Sequence, residues 1–258
     1  MRPKSWLAPR IRGQAKIHKK DHPLRPIVAA RGSILTGLSR ELTCIIQPAI
    51  KHTAHHIKDS IDLVSKLRDK IIPPTHILAS FDLTNMFTNI PVDEATEVIR
   101  DMLNNDHTLH ERTSIPVDTI IELLQASTSM AYFVWQGIYY AQVRGCAMGS
   151  STSSPISEAY MTKYESRATT AYNTNNPDQV VQDILQFWYR KANDTLTSIH
   201  AQHLAPFHAW LNSIHPSLQW TFEVEREGRI NMLDVSIIRA TDGTLSFEVY
   251  RKPTHTNQ

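Results

Sequence analysis

Apolar residues follow two periods along this chain, and the changes of period mark its elements. Ile77-Leu78-Ala79-Ser80-Phe81 is a short continuous apolar run behind Pro73-Pro74, the pattern of a buried strand, and Asp82 closes it. After Pro91, residues Ala95, Val98, Ile99, Met102 and Leu103 recur at helical spacing, with Asp93 placed to cap the helix. A second helix is predicted from Val117 to Met130. Tyr132 to Val143 alternates aromatic and β-branched residues around Trp135-Gln136-Gly137 and predicts a hairpin. Gly145 to Ser154 is small and flexible in composition, a helix follows to Ala171, and Asn173 to Asp178 is a polar loop. Ile184 to Arg190 and Thr195 to Ile199 form a second predicted hairpin whose tip is Lys191-Ala192-Asn193-Asp194. Leu204, Phe207, His208, Leu211 and Ile214 mark a further helix, and Leu218 to Lys252 alternates as strands around Glu227-Gly228 and Asp242-Gly243. Upstream, Arg2 to Arg31 is basic, rich in Pro and predicted to be extended, and Leu38 to Leu67 has a helical period interrupted at Pro48.

That order (strand, helices, hairpin, helix, hairpin, helix, strands) predicts an α+β fold with helices on one face of an antiparallel sheet. It brings Asp82 and the Asn193-Asp194 pair to one edge of that sheet. Charge sharpens the picture. Up to Lys58 there are 12 Lys and Arg against Asp21 and Glu41, a surplus of +10, while the remainder carries −8. Such a segment either meets a polyanion or is a solvated basic arm. Cys44 and Cys146 have no metal-ligand spacing, which favours a reducing compartment. No apolar run reaches the ~18 residues that span a bilayer, so no membrane partner is expected. His52, His55 and His56, and His203, His208 and His215, lack matching Cys or carboxylates and read as ordinary surface histidines.

Converging carboxylates suit hard cations, and phosphoryl transfer commonly uses two of them about 3.5–4 Å apart. Ser80 to Pro91, Gln142 to Ser150 and Phe187 to Thr195 resemble motifs A, B and C of the reverse transcriptases of Penelope-like retroelements. Leu24-Arg25-Pro26-Ile27-Val28 after Lys16-Ile17-His18-Lys19 resembles their fingers motifs, and Trp220 to Glu225, Leu233-Asp234-Val235 and Tyr250 to Thr256 continue the series in order. The resemblance implies a right-hand polymerase, with fingers over residues 1–78 and a palm over 79–258 built on an antiparallel sheet packed on helices. It implies an RNA template, a DNA primer, deoxynucleoside triphosphates, Mg²⁺ (or Mn²⁺) and a nuclear location. Asp82 and Asp194 would bind metal, Leu83 would offer its backbone near the triphosphate, and Phe87 would sit under the sugar and reject a 2′-hydroxyl. Lys16 and Arg25 would hold the triphosphate, with Met148 and Gly149 beneath the nucleotide. Gly145, Ser150, Lys19, Arg251 and Lys252 would contact nucleic acid.

The pattern also departs from the family. Where Tyr-x-Asp-Asp is usual, the chain reads Lys191-Ala192-Asn193-Asp194, so one carboxylate is replaced by a neutral amide. Ser150 to Ser154 stands for Ser-Pro-Leu-Ser-Pro, Glu158 for Asn, and Ala15 for Pro. The reading is a polymerase domain weakened at Asn193, an inactive relic that still binds nucleic acid, or a structural or interaction domain with no nucleic-acid role. The family's endonuclease module and a complete thumb are not expected within this stretch, which reads as part of a longer product.

Overall fold

In chain order the elements are β1 (Arg10–Ala15), β2 (Leu24–Ala29), α1 (Thr36–Ile46), α2 (Ser60–Leu67), β3 (His76–Leu83), α3 (Met86–Asn89), α4 (Val92–Asn104), α5 (Leu109–Arg112) and α6 (Val117–Ser129). Then come β4 (Tyr132–Trp135), β5 (Ile138–Ala141), α7 (Ser153–Asn175), β6 (Leu185–Lys191), β7 (Asp194–His200), α8 (Leu204–Ile214), β8 (Trp220–Val224), β9 (Arg229–Met232), β10 (Val235–Arg239) and β11 (Leu245–Val249). This computed structural model describes residues 8–17, 21–50, 54–175 and 184–251. No helix among them is long and apolar enough to cross a membrane.

Local chemistry explains the boundaries, including those that differ from expectation. The predicted helical stretch Leu38 to Leu67 is broken by more than a kink. α1 stops at Ile46, Pro48 sits in a 3-10 turn over Gln47–Ala49, and α2 begins only at Ser60. Asp59 restarts it, accepting from the backbone N–H groups of Ile61 at 3.0 Å and Asp62 at 2.9 Å. Asp93 is not a cap: Pro91 holds the N-cap position of α4, and Asp93 lies in the first turn, where it complements the helix dipole. α7 runs through Asn175, past the predicted end at Ala171, because nothing in Asn173 to Asn175 forbids another turn. The short helices α3 and α5 carry too few residues for a readable period.

The chain divides into two units, Met1–Lys51 with Asn85–Lys163, and His52–Thr84 with Tyr164–Gln258. The first unit buries Leu42 and Ile46 of α1, Ala95, Val98, Ile99 and Leu103 of α4, and Ile120, Ile121 and Leu124 of α6. Each large apolar side chain so buried contributes about 1.5–3 kcal/mol. Its four-stranded sheet has the order β2-β1-β4-β5. Both cysteines belong to this unit and are free; burial pushes the Cys146 thiol up to about 12, while Cys44 is exposed.

The second unit is built on β3, one of the two inner strands of the antiparallel sheet β6-β7-β3-β8. Its side chains alternate. Phe81 faces α8, its ring 6.2 Å from Phe207 and 5.4 Å from Trp188. Leu78 faces the other way, into a core with Leu63 and Leu67 of α2, Leu196, Ile230, Val235 and Ile237. Helices therefore cover both faces of this sheet rather than one, and the small sheet β11-β10-β9 shares the second face with α2. Two covers are needed because β3 buries Leu78 on one side and Phe81 on the other.

Candidate active site

Asp82 is the second-last residue of β3 and lies opposite Asp194, the first residue of β7. Opposed residues in an antiparallel pair have Cα atoms about 4.5–5.5 Å apart, and like charges so placed repel. Asn193 answers that repulsion. Lys191 and Asp194 close the β6–β7 hairpin over Ala192 and Asn193, with Ala192 in the left-handed region at φ +53°. The half-buried Asn193 side chain turns its amide Nδ2 to Asp82 Oδ1 at 2.6 Å and to Asp194 Oδ1 at 3.4 Å. Carboxylates only accept, so the NH₂ points at them and the amide carbonyl points elsewhere. The two Asp oxygens are no farther apart than those two lengths laid end to end, well inside the about 8 Å over which two ions and their oxygen shells could bridge.

The turn is held from below. Leu83 donates its N–H to the Asn193 carbonyl at 3.1 Å and buries its side chain. Arg190 is buried; its Nε donates to Glu165 Oε1 at 2.8 Å and its Nη1 to the Ala192 carbonyl at 3.1 Å. Trp188 Nε1 donates to the same Glu165 oxygen at 2.9 Å. The Arg190 backbone is bound to the Ile57 N–H and the His55 carbonyl on its other side. Lys191 is directed away, its Nζ donating to the Lys58 carbonyl at 2.6 Å.

Asp82 and Asp194 open on a cavity of about 760 Å³ that Glu223, Asp234, Arg226, Arg229 and Tyr250 also line. Thr195 Oγ1, at its wall, is buried without a hydrogen-bond partner. Sequence reasoning missed Glu165, and named Arg190, Glu223 and Asp234 only as members of the motif series, with no role. Arg190 could have been flagged as a lone charge among Phe187, Trp188 and Tyr189, but nothing in the sequence pairs it with Glu165.

As the side chains stand, this set does not fit a two-cation centre. Hard cations need oxygen donors, and the group between the two carboxylates presents N–H. Among the described residues no three His, Cys, Asp or Glu side chains are grouped to hold a metal ion. The histidines proposed as ordinary have structural partners: His208 Nε2 lies 2.6 Å from the Trp220 carbonyl oxygen, and His55 Nδ1 lies 2.9 Å from that of Trp188. His52 lies outside the described residues.

Most of the other expected site residues belong to the first unit. Arg25 is exposed on β2, opposite Gln14, and the Lys16 N–H donates to the Pro23 carbonyl at 2.9 Å. Met148 accepts from the Val28 N–H at 2.8 Å, which lays Gly149 against β2. At φ +122°, a Cβ on Gly149 would lie 2.1 Å from the Val28 carbonyl oxygen. Gly145, at φ +66°, is pressed on α3, where a Cβ would lie 2.4 Å from the Thr88 carbonyl. The close approach these glycines allow is to the protein's own backbone. Phe87 is half-buried on α3, its carbonyl accepting from the Cys146 N–H at 2.6 Å, so Phe87 and Gly145 are neighbours. Ser150 Oγ lies 3.0 Å from Thr152 Oγ1. Arg251, in the second unit, is exposed and follows Tyr250, whose N–H donates to the Asp234 carbonyl at 2.9 Å. Lys19 and Lys252 lie outside the described residues.

No family model and no curated protein sequence matches this chain. Solved structures do. Apo telomerase from Candida tropicalis, truncated from its C-terminal domain, aligns with a TM-score of 0.62 at 11% identity over 93% of this chain and 54% of its own. Telomerase from Candida albicans, in complex with a fragment of telomeric RNA, aligns with a TM-score of 0.63 at 11% identity over 96% and 47%. The BmCPV RNA-dependent RNA polymerase in its elongation state aligns with a TM-score of 0.58 at 10% identity over 96% and 23%. This chain spans about half the length of those telomerase chains and about a quarter of the viral one. The likeness is one of fold: a mixed α+β, right-hand polymerase architecture with antiparallel sheets and helices.

Proposed function

We propose that this chain is a reverse-transcriptase-type polymerase domain of a Penelope-like retroelement that engages primer, template and nucleotide but is disabled for transfer at Asn193. The observation that carries the reading is the Asn193 amide set between Asp82 and Asp194 on paired strands of a polymerase fold. On this reading residues 1–78 supply the fingers and 79–258 the palm. The substrates are an RNA template, a DNA primer and deoxynucleoside triphosphates, and the site of action is the nucleus.

The roles follow from chemistry. Arg25 offers a planar fork to phosphate oxygens and Lys16 a point charge. Phe87 stands under the sugar, Leu83 near the triphosphate, and Met148 and Gly149 beneath the nucleotide. Gly145, Ser150, Lys19, Arg251 and Lys252 meet the nucleic acid. In an intact relative, Asp82, Asp194 and a third carboxylate at position 193 would hold Mg²⁺ or Mn²⁺, which supplies charge stabilisation to the transferring phosphate. Here the amide instead donates hydrogen bonds to the two acids and leaves no negative ligand in that place.

The test compares the chain as written with Asn193→Asp in single-nucleotide primer extension on an RNA template, with Mg²⁺ and with Mn²⁺. A carboxylate worth about 4 kcal/mol in the transition state would return up to roughly a thousandfold. We expect a partial gain, because Lys191, Ser151 and Ser154 also depart from the family. Folding is read in parallel. Asn193→Asp places three acids together, so its Tm should rise with Mg²⁺ while that of the unmodified chain stays put. Strong Mg²⁺-dependent extension by the unmodified chain would refute the disabling role. A folded, Mg²⁺-responsive Asn193→Asp protein with no gain would move the lesion to the Gly145–Ser154 segment.

A further inference from the structure

The sheet β2-β1-β4-β5 of the first unit has two edges, and they differ. On β2 the Val28 N–H donates to the Met148 carbonyl at 2.8 Å, so the chain itself occupies that side. Among the described residues no strand pairs with the outer side of β5. The β4–β5 hairpin turns over Gln136 and Gly137, both in the left-handed region at φ +51° and +79°. Ile138 and Tyr140 therefore direct their backbone groups to Trp135 and Phe133, while Tyr139 and Ala141 direct theirs outward. The same alternation continues: the Gln142 N–H donates to the Ala131 carbonyl at 3.0 Å, and the Val134 N–H points away from β5 to the Pro9 carbonyl at 2.7 Å. From Met130 to Val143 the chain has no charged residue, and β5 holds no Pro and no bulge, so the usual guards of an open edge are missing. Every residue of β5 is exposed, Ile138 by 58%, Tyr139 by 71% and Tyr140 by 38%, beside Trp135 at 52%.

We infer that this edge pairs with the same edge of a second copy of the chain, antiparallel about a two-fold axis at Tyr140. In that register Tyr139 of each copy stands opposite Ala141 of the other, and the outward N–H and C=O groups of both residues find partners. The two Tyr140 side chains meet as a non-hydrogen-bonded pair, with Cα atoms about 4.5 Å apart, and aromatic pairs so placed attract. Tyr132, Trp135, Ile138, Tyr139 and Tyr140 leave roughly 500 Å² of side chain exposed in one copy. Two copies together offer about 1,000 Å², the size at which a specific interface begins. The occupant is a copy because one edge already supplies both halves of the match. A nucleic acid finds no cation between Met130 and Val143, and a charged extended peptide would bury its charges unpaired against Tyr and Trp. The inference goes beyond the transfer reading and uses none of the residues to which that reading gives a role.

The experiment is sedimentation equilibrium of the whole chain from about 1 to 200 μM, the range in which small interfaces dissociate. The mass should rise to twice that of one chain. Tyr140→Lys and Tyr140→Glu each set like charges face to face on the two-fold axis. Each alone should raise the dissociation constant about tenfold, from the lost ring contact and the repulsion together, with circular dichroism and Tm unchanged. An equimolar mixture of the two variants should pair again, since opposite charges then face each other, a recovery that a folding defect cannot produce. Hydrogen exchange on the unmodified chain supplies a readout that needs no variant. The amides of Tyr139 and Ala141 should slow as concentration rises, while those of Ile138 and Tyr140, already bonded to β4, stay constant. A chain that is monomeric throughout, a dimer that both charged variants leave intact, a mixture no tighter than either variant alone, or Tyr139 and Ala141 amides indifferent to concentration would each overturn the assignment.

Discussion

Arg190 carries a charge in the interior of a strand, where an apolar side chain is the ordinary occupant. It is tolerated because Glu165 supplies the opposite charge at 2.8 Å and the Ala192 carbonyl takes a further donor at 3.1 Å. Removing one partner of a buried pair leaves the other uncompensated, which costs about 3–5 kcal/mol. Arg190→Ala should lower the unfolding free energy by that amount in a denaturant titration, and more than Arg190→Ala combined with Glu165→Leu. Phe87 is a second residue with a single-residue test. It is half-buried rather than fully enclosed. In the Asn193→Asp background, Phe87→Ala should raise ribonucleotide use relative to deoxynucleotide use in single-nucleotide incorporation. An unchanged ratio would make Phe87 a packing residue only.

Among the elements, α5 shows how one side chain substitutes for length. Four residues cannot hold a helix alone, and nucleation is costly. Arg112 secures it by pairing with Asp106, donating to Thr108 Oγ1 at 2.8 Å and reaching the Ile45 carbonyl on α1 at 3.3 Å. The hydrogen bond from Arg112, then those from Thr108, hold the Asp106 carboxyl down to about 2, below its ordinary 3.8. A depressed carboxyl contributes stability above its unfolded value and loses that contribution as pH falls toward the folded one. Stability should therefore decline between about pH 4 and pH 2 in part through this pair. Arg112→Ala should flatten that part of the profile in thermal unfolding and raise the Asp106 titration, read by NMR, toward the ordinary range, with the Thr108 bonds holding it partly down.

At the scale of the whole molecule, the uneven charge makes a prediction that needs no single contact. Affinity for a primer–template should fall with salt, each neutralised phosphate adding about −0.7 to −0.9 to the log–log slope. A slope near zero would leave the +10 segment as a solvated arm. The telomerase and viral chains that share this fold are about two and four times as long as the aligned region, so in those proteins a region of this shape is part of a longer chain.

Period and punctuation were enough to determine β3, α4, α6, both hairpins and α8, because each is a local pattern whose buried face repeats every two residues or every three to four. The ordered motifs likewise placed Asp82 and Asp194 on neighbouring strands, since a two-residue hairpin turn and a strand end leave little freedom. Tertiary structure decided what a local pattern cannot hold. It ended α1 at Ile46 and gave α2 to the other unit, where Leu63 and Leu67 join a separate core. It covered both faces of the β3 sheet. It joined Arg190 to Glu165, 25 residues away in sequence. And it turned the Asn193 amide toward Asp82, a choice made by two carboxylates that meet only when β3 and β7 pair.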